Sequence, residues 1–207
     1  MDAAEIHRDL TDPAWRRWLL LGALAGLGLL YLLAFDLFVT RSRDFVVALD
    51  NQRALDYARA HILPVPSTLS FGESQTDNAR LGGGWHRPDA GGIWSQAKDT
   101  FVAIIVAHPH PPLHIRLNTT AFVAAKRPKM RVTATINDVP AGKWVRTTSN
   151  ANEPLDLQVP ASLASADQLL IRLHTDHIAS PFRLDSGPDS RQLGILLYSA
   201  EVRDADP

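Results

Sequence analysis

The residue types best suited to chemistry crowd into one short stretch, Leu81-Gly82-Gly83-Gly84-Trp85-His86-Arg87-Pro88-Asp89-Ala90-Gly91-Gly92-Ile93-Trp94-Ser95. Two indoles flank an imidazole, a guanidinium and a carboxylate, and the glycines release the backbone for tight turns. An indole face suits the C–H groups of a sugar ring, while polar tips beside it take the hydroxyls. Trp85, His86, Arg87, Asp89 and Trp94 are therefore the candidate ligand-binding residues, and a glycan is the ligand class they fit. The competing reading makes both tryptophans plugs that close the end of a domain. Their settings predict a split, with Trp94 buried ahead of an apolar run and Trp85 more exposed among Gly84, His86 and Arg87.

Other reactive clusters are thinner. His108, His110 and His114 form the one metal-like group, and imidazoles suit zinc or copper. Prolines hold that loop extended, it contains no carboxylate, and His174 or His177 would have to arrive from another strand. No metal and no cofactor is expected. Glu73 and Asp77 are the acid pair nearest the glycine-rich loop, in a setting where loops commonly carry such residues. Asp189 and Arg191 can form a bidentate carboxylate–guanidinium clamp or face a ligand hydroxyl. G-x-S-x-G, H-E-x-x-H, G-x-x-x-x-G-K and G-x-G-x-x-G are all missing. The chain has no cysteine, which excludes disulfides and thiol chemistry. No catalytic residue is assigned, and the protein is expected not to be an enzyme. A net charge of −1 gives no field that would favour nucleic acid.

The elements that must position these residues are short and strand-like. Runs at 68–72, 101–107, 113–122, 130–137, 143–147, 155–159, 168–174 and 193–202 lie between Pro, Gly, Asn and Asp punctuation. Leu113-His114-Ile115-Arg116-Leu117 and Leu169-Leu170-Ile171-Arg172-Leu173 alternate as half-buried strands do. Asn137-Asp138 marks a hairpin turn. The fold class expected is mainly β, an antiparallel two-sheet sandwich of jelly-roll type over residues 67–207.

Three segments of this region are similar to a known family. Gly84-Trp85 through Gly92-Ile93-Trp94-Ser95, with the apolar run at 101–106, resembles a G-W-x(n)-G-x-W-S opening. That opening belongs to a small jelly-roll domain of bacterial membrane proteins of polysaccharide assembly, often fused to glycosyltransferases. Val132 to Trp144, with Ile136-Asn137, resembles the family's V-x-V-x-I-N-G hairpin, with Asp138 where Gly is usual. Ser180-Pro181 and then Asp185 to Ile195 resemble S-P-x(n)-S-x-D-x-R-x-L-G-I. The resemblance covers residues 68–204 and none of the preceding helix. It implies a galactose-binding-like sandwich serving as an accessory module.

Ahead of the sandwich lies the segment on which the chain is built. Residues 18–35 carry no charge, and with Asp36 as its only acid the stretch 18–39 covers roughly 30 Å at ~1.5 Å per residue, the thickness of a bilayer's hydrocarbon core. Trp15, Arg16, Arg17 and Trp18 at one end fit an interfacial belt, as do Phe38, Arg41 and Arg43 at the other. The expected order is a tail at 1–17, a transmembrane helix at 18–39, a juxtamembrane helix and linker at 40–66, and the sandwich. Asp12 and Pro13 make a helix start, and Pro64 and Pro66 end the second helix. Its apolar side is expected to be Phe45, Leu49, Leu55, Tyr57, Ala58 and Ile62.

Gly22 and Gly26 form a G-x-x-x-G face that lets another helix approach closely. Membrane lipid and a membrane-protein partner are thus expected alongside a polysaccharide. A short basic tail before a single span points the sandwich away from the cytoplasm, and with the resemblance this implies a bacterial inner membrane and a periplasmic domain. Two functions compete: a membrane-anchored accessory protein that binds glycan or a glycan-assembly enzyme, and a structural subunit held in a complex by its span.

Overall fold

Alternation in sequence becomes alternation of burial in the computed structural model, which describes residues 13–107, 113–163, 166 and 168–204. In Leu113–Ala121 every second side chain is buried, Leu113, Ile115, Leu117, Thr119 and Ala121 among them. The chain divides into two units, residues 1–45 and 46–207.

Among the described residues the second unit contains nine strands: β1 (Ser67–Ser70), β2 (Ile93–Trp94), β3 (Asp99–Ile105), β4 (Leu113–Ala121), β5 (Lys129–Ile136), β6 (Val139–Thr147), β7 (Leu155–Gln158), β8 (Gln168–Thr175) and β9 (Ile195–Asp204). One sheet has the order β1-β9-β4-β7, with β2 also paired to β9; the other has the order β3-β8-β5-β6. Each strand pair is antiparallel. Leu69, Ile115, Leu117, Leu155, Leu157 and Val202 from the first sheet meet Val102, Ile104, Val132, Ile136, Ile171 and Leu173 from the second. The fold is an antiparallel two-sheet sandwich of jelly-roll type. Asn137 and Asp138 both have positive φ, the conformation of a tight hairpin turn, and they join β5 to β6 where the sequence predicts the turn.

One helix, α1, runs from Pro13 to Ala60. Pro13 is its first described residue, and Asp12, the expected cap, lies outside the described residues. Its part in the second unit docks on the outer face of the second sheet, where Ala54 and Ala58 pack with Ala103 and Ile105. This corrects half of the expected apolar side: Phe45, Leu49 and Ile62 are exposed, whereas Ala58 faces the sheet and Leu55 packs beside it as expected, joined by Ala54. A helix carrying large side chains there could not approach β3 so closely. Arg80, only 2% exposed, secures the helix end. Its guanidinium donates to the His61 carbonyl and lies 5.6 Å from the Tyr57 ring centre.

In the first unit, α1 is long and apolar enough to cross a membrane. Leu20, Leu24, Leu27, Leu30 and Leu33 are all more than half exposed. A Cβ added at Gly22 or Gly26 would meet nothing within 4 Å.

Candidate functional site

The glycine-rich loop folds as it does because a helix lies against it. A Cβ on Gly82 would fall 2.2 Å from Asn51 Oδ1, and one on Gly83 would fall 2.9 Å from Val47 Cγ1. Asn51 Oδ1 also accepts from the Gly83 amide at 2.9 Å. Gly84 has φ +93°, and a Cβ there would lie 2.1 Å from the Asp99 carbonyl. These glycines serve helix packing and a turn before they serve any ligand.

The loop then delivers Trp85 inward. Trp85 is 8% exposed, belongs to the main core, and donates its indole N–H to the Phe101 carbonyl at 2.9 Å. Trp94 is half-buried, with its ring edge-on to Phe122 at 6.3 Å between centres and 88° between planes. The expected split is therefore reversed. Ile93 takes the core position on β2, so the next residue, Trp94, must point out of the other face.

His86, Arg87, Gln96 and Arg191 surround Trp85 at a recess of about 610 Å³. His86 hydrogen-bonds through Nε2 to the Gln192 carbonyl at 2.8 Å; a carbonyl only accepts, so Nε2 carries a proton, and in the neutral ring Nδ1 is an acceptor. The Gln96 amide nitrogen donates to the Trp85 carbonyl at 2.6 Å, which leaves its oxygen as an acceptor. Arg87 is exposed and forms no ion pair among the described residues. A second recess of about 510 Å³ shares Trp85 and His86 and is bounded on the helix side by Asp50, Arg53 and Tyr57.

Arg191 is the fixed point. Its Nε lies 3.2 and 3.1 Å from the two Asp189 oxygens, and Nη2 donates to Asp189 Oδ2 at 2.9 Å. Nη1 donates to Asp89 Oδ2 at 2.9 Å. The expected Asp189–Arg191 clamp is thus present and extends to Asp89. These hydrogen bonds hold the Asp189 carboxyl below the usual carboxylate range and raise the Arg191 guanidinium above its ordinary value. A guanidinium has five N–H groups. The second N–H on each of Nη1 and Nη2 remains for another acceptor.

Of the five residues expected at the site, His86, Arg87 and Trp85 line the recess, and Asp89 acts through Arg191. Trp94 lies elsewhere, on the outer face of the first sheet. Gln96 was not singled out in the sequence, where nothing marks a lone glutamine after a strand. Asp77 is engaged structurally, with Oδ2 accepting from the Ser70 amide at 3.0 Å and Oδ1 3.6 Å from Arg80 Nε. His108 and His110 lie outside the described residues. His114 sits 3.5 Å from Asp156 and accepts from Arg203 Nε at 3.3 Å. Among the described residues no three His, Cys, Asp or Glu side chains group as a metal site.

No protein-family model matches this sequence, and no curated protein matches it. Solved structures match over about two thirds of the chain. An acetyl xylan esterase (Est2A) from Butyrivibrio proteoclasticus aligns at 13% identity and TM-score 0.41, over 69% of this chain and 34% of that one. The chain thus spans about a third of the esterase's length. The CBM36-1 domain of a multidomain xylanase from the hindgut metagenome of Trinervitermes trinervoides aligns at 12% identity and TM-score 0.39, over 69% of this chain and 99% of that one. The C-terminal CBM6 of LamC, a laminarinase from Zobellia galactanivorans, aligns at 11% identity and TM-score 0.37, over 67% of this chain and 100% of that one.

Proposed function

We propose that this chain is a non-catalytic, membrane-anchored accessory protein whose sandwich binds a glycan in the recess beside Trp85. The observation that carries the reading is Arg191, held by Asp189 and Asp89 with two N–H groups to spare at the wall of that recess. Neighbouring hydroxyls of a sugar both donate and accept. Arg191 and Arg87 offer donors, while Gln96 Oε1 and His86 Nδ1 offer acceptors, around one large apolar ring. A pre-formed arrangement of this kind avoids ordering costs on binding.

The long apolar helix supports anchoring, and in this reading the anchor lies in a bacterial inner membrane with the sandwich outside the cytoplasm. The same recess can serve a glycan-assembly enzyme that presents its saccharide. Full-length protein in mild detergent, titrated calorimetrically with a panel of oligosaccharides, tests the reading. Arg87→Ala and Gln96→Ala should each weaken binding about three- to tenfold. No heat with any saccharide for the unaltered protein would refute glycan binding.

A second reading, a structural subunit with no sugar site, is favoured by the G-x-x-x-G spacing of Gly22 and Gly26 on the apolar helix. Gly22→Leu with Gly26→Leu should release co-purifying membrane partners while leaving membrane insertion intact. Unchanged co-purification would count against that face.

A further inference from the structure

Trp94 lies outside the recess, and its actual surroundings form a surface of their own. On the outer face of the first sheet, Trp94 pairs with Leu196 across β2 and β9, and Thr120 pairs with Leu196 from the other side. Phe122, just beyond β4, meets the Trp94 ring edge-on. The β4–β9 register slips at Asn118/Thr119, because Asn118 opposes Ser199 while Thr119 opposes Leu197. Tyr198 is the extra residue. A bulge re-aims a side chain, and the Tyr198 ring stands outward, 38% exposed.

The polar groups between these rings are oriented by one another. Thr120 Oγ1 donates to Asn152 Oδ1 at 2.9 Å, so the hydroxyl of Tyr198, 2.5 Å away, must donate to Thr120. That relay leaves the Asn152 amide N–H groups as donors and the Tyr198 oxygen as an acceptor. Asn118 Nδ2 donates to Ser199 Oγ and to Glu201 Oε1, both at 2.9 Å, which leaves its own oxygen as an acceptor. Charged groups lie further along these strands, where Arg203 Nε donates to His114 Nδ1 at 3.3 Å. Glu201 opposes Arg116 across the strands, and Arg116 lies 3.5 Å from Asp156.

We infer that the outer face of β2, β9 and β4 is a second glycan site, which takes a neutral polysaccharide chain lying across Tyr198, Trp94 and Phe122. The inference rests on the glycan-binding reading and gives it a substrate class. Rings separated by oriented donors and acceptors fit stacked sugars with hydroxyls at their edges. A phosphate- or carboxylate-bearing polymer would need cations beside the rings, and the strand positions that carry and separate them, Trp94, Leu196, Thr120, Asn118 and Tyr198, include none.

The test titrates full-length protein in mild detergent with β-glucan, xylan and mannan oligosaccharides, and with an alginate oligosaccharide as the anionic counterpart. Tyr198→Ala should weaken binding of a neutral oligosaccharide at least tenfold. Tyr198→Phe and Thr120→Val, which break the relay and keep the shape, should each weaken it about threefold and remain interpretable if the alanine variant fails to fold. Arg87→Ala and Gln96→Ala report on the recess in the same assay. Loss confined to the recess variants overturns the second site and leaves the recess standing. Loss confined to the Tyr198 and Thr120 variants supports the second site and removes the recess. No binding by the unaltered protein overturns both, and tighter binding of alginate than of every neutral oligosaccharide overturns the substrate class.

Discussion

The recess beside Trp85 and the sheet face around Trp94 begin within one fifteen-residue stretch and end as opposite kinds of surface. At the recess the indole is a buried floor, and the polar groups at the rim are held by ion pairs and backbone carbonyls. On the sheet face the rings are partly exposed, and the polar groups hold one another through hydrogen bonds in which Glu201 is the charged partner. A ring near flexible glycines is thus not necessarily a ring on display. Which face a strand residue takes is decided by its neighbour in the core, here Ile93.

That contrast can be tested by substitution, starting where the effect should be largest. Trp85→Ala removes a buried core ring and should cost about 3 to 5 kcal/mol in urea denaturation. Gly84→Ala forces a side chain into a positive-φ position against the Asp99 carbonyl, and should cost about 2 kcal/mol by the same measurement. Trp94→Ala uncovers only part of Phe122 and should cost about 1 to 2 kcal/mol. If Trp94→Ala proves as damaging as Trp85→Ala, the two regions do not differ in the way described.

The smallest effect concerns the clamp, where Asp189→Asn should cost about 1 kcal/mol or less because the pair is partly exposed. The Asp189 carboxyl titrates lower folded than unfolded, chiefly through its hydrogen bonds to the Arg191 side chain. Its contribution is therefore full above the unfolded value of about 4 and is lost as pH falls through the lower folded value. Acid unfolding should show a difference between the unaltered protein and Asp189→Asn near neutrality that closes below about pH 4. A gap that widens in acid would contradict the clamp.

Much of the sandwich was legible because half-buried strands alternate, and all eight predicted runs overlap strands. The two-residue β2 was not, since two residues have no period. The start of β6 was missed because Val139-Pro140-Ala141-Gly142 reads as a turn; β6 pairs only with β5, so Pro140 sits on an edge where a missing N–H is tolerated. At the site, the residue types of His86, Arg87, Asp89 and Arg191 were readable, whereas the partnership of Asp89 with Arg191 spans 102 positions and has no local sign. Tyr198 and Phe122 escaped notice because a bulge is a property of two strands in register. The docking face of α1 was read in part, through Leu55 and Ala58, and Ala54 was missed because larger apolar residues were weighted over it.

Strand β9 has a consequence for how the molecule forms. It pairs with β4 along one edge and with both β1 and β2 along the other, so that Ser67 finds its partner at Val202. Until β9 arrives, β1, β2 and β4 have no common neighbour, and the first sheet exists only in pieces. Contacts so distant along the chain make folding slow, on the order of milliseconds to seconds for sandwiches of this kind. Synthesis proceeds at about 5 to 20 residues per second, so an emerging chain would hold its first strands unpaired for several seconds. During that interval, exposed strand edges would be open to chaperones and proteases.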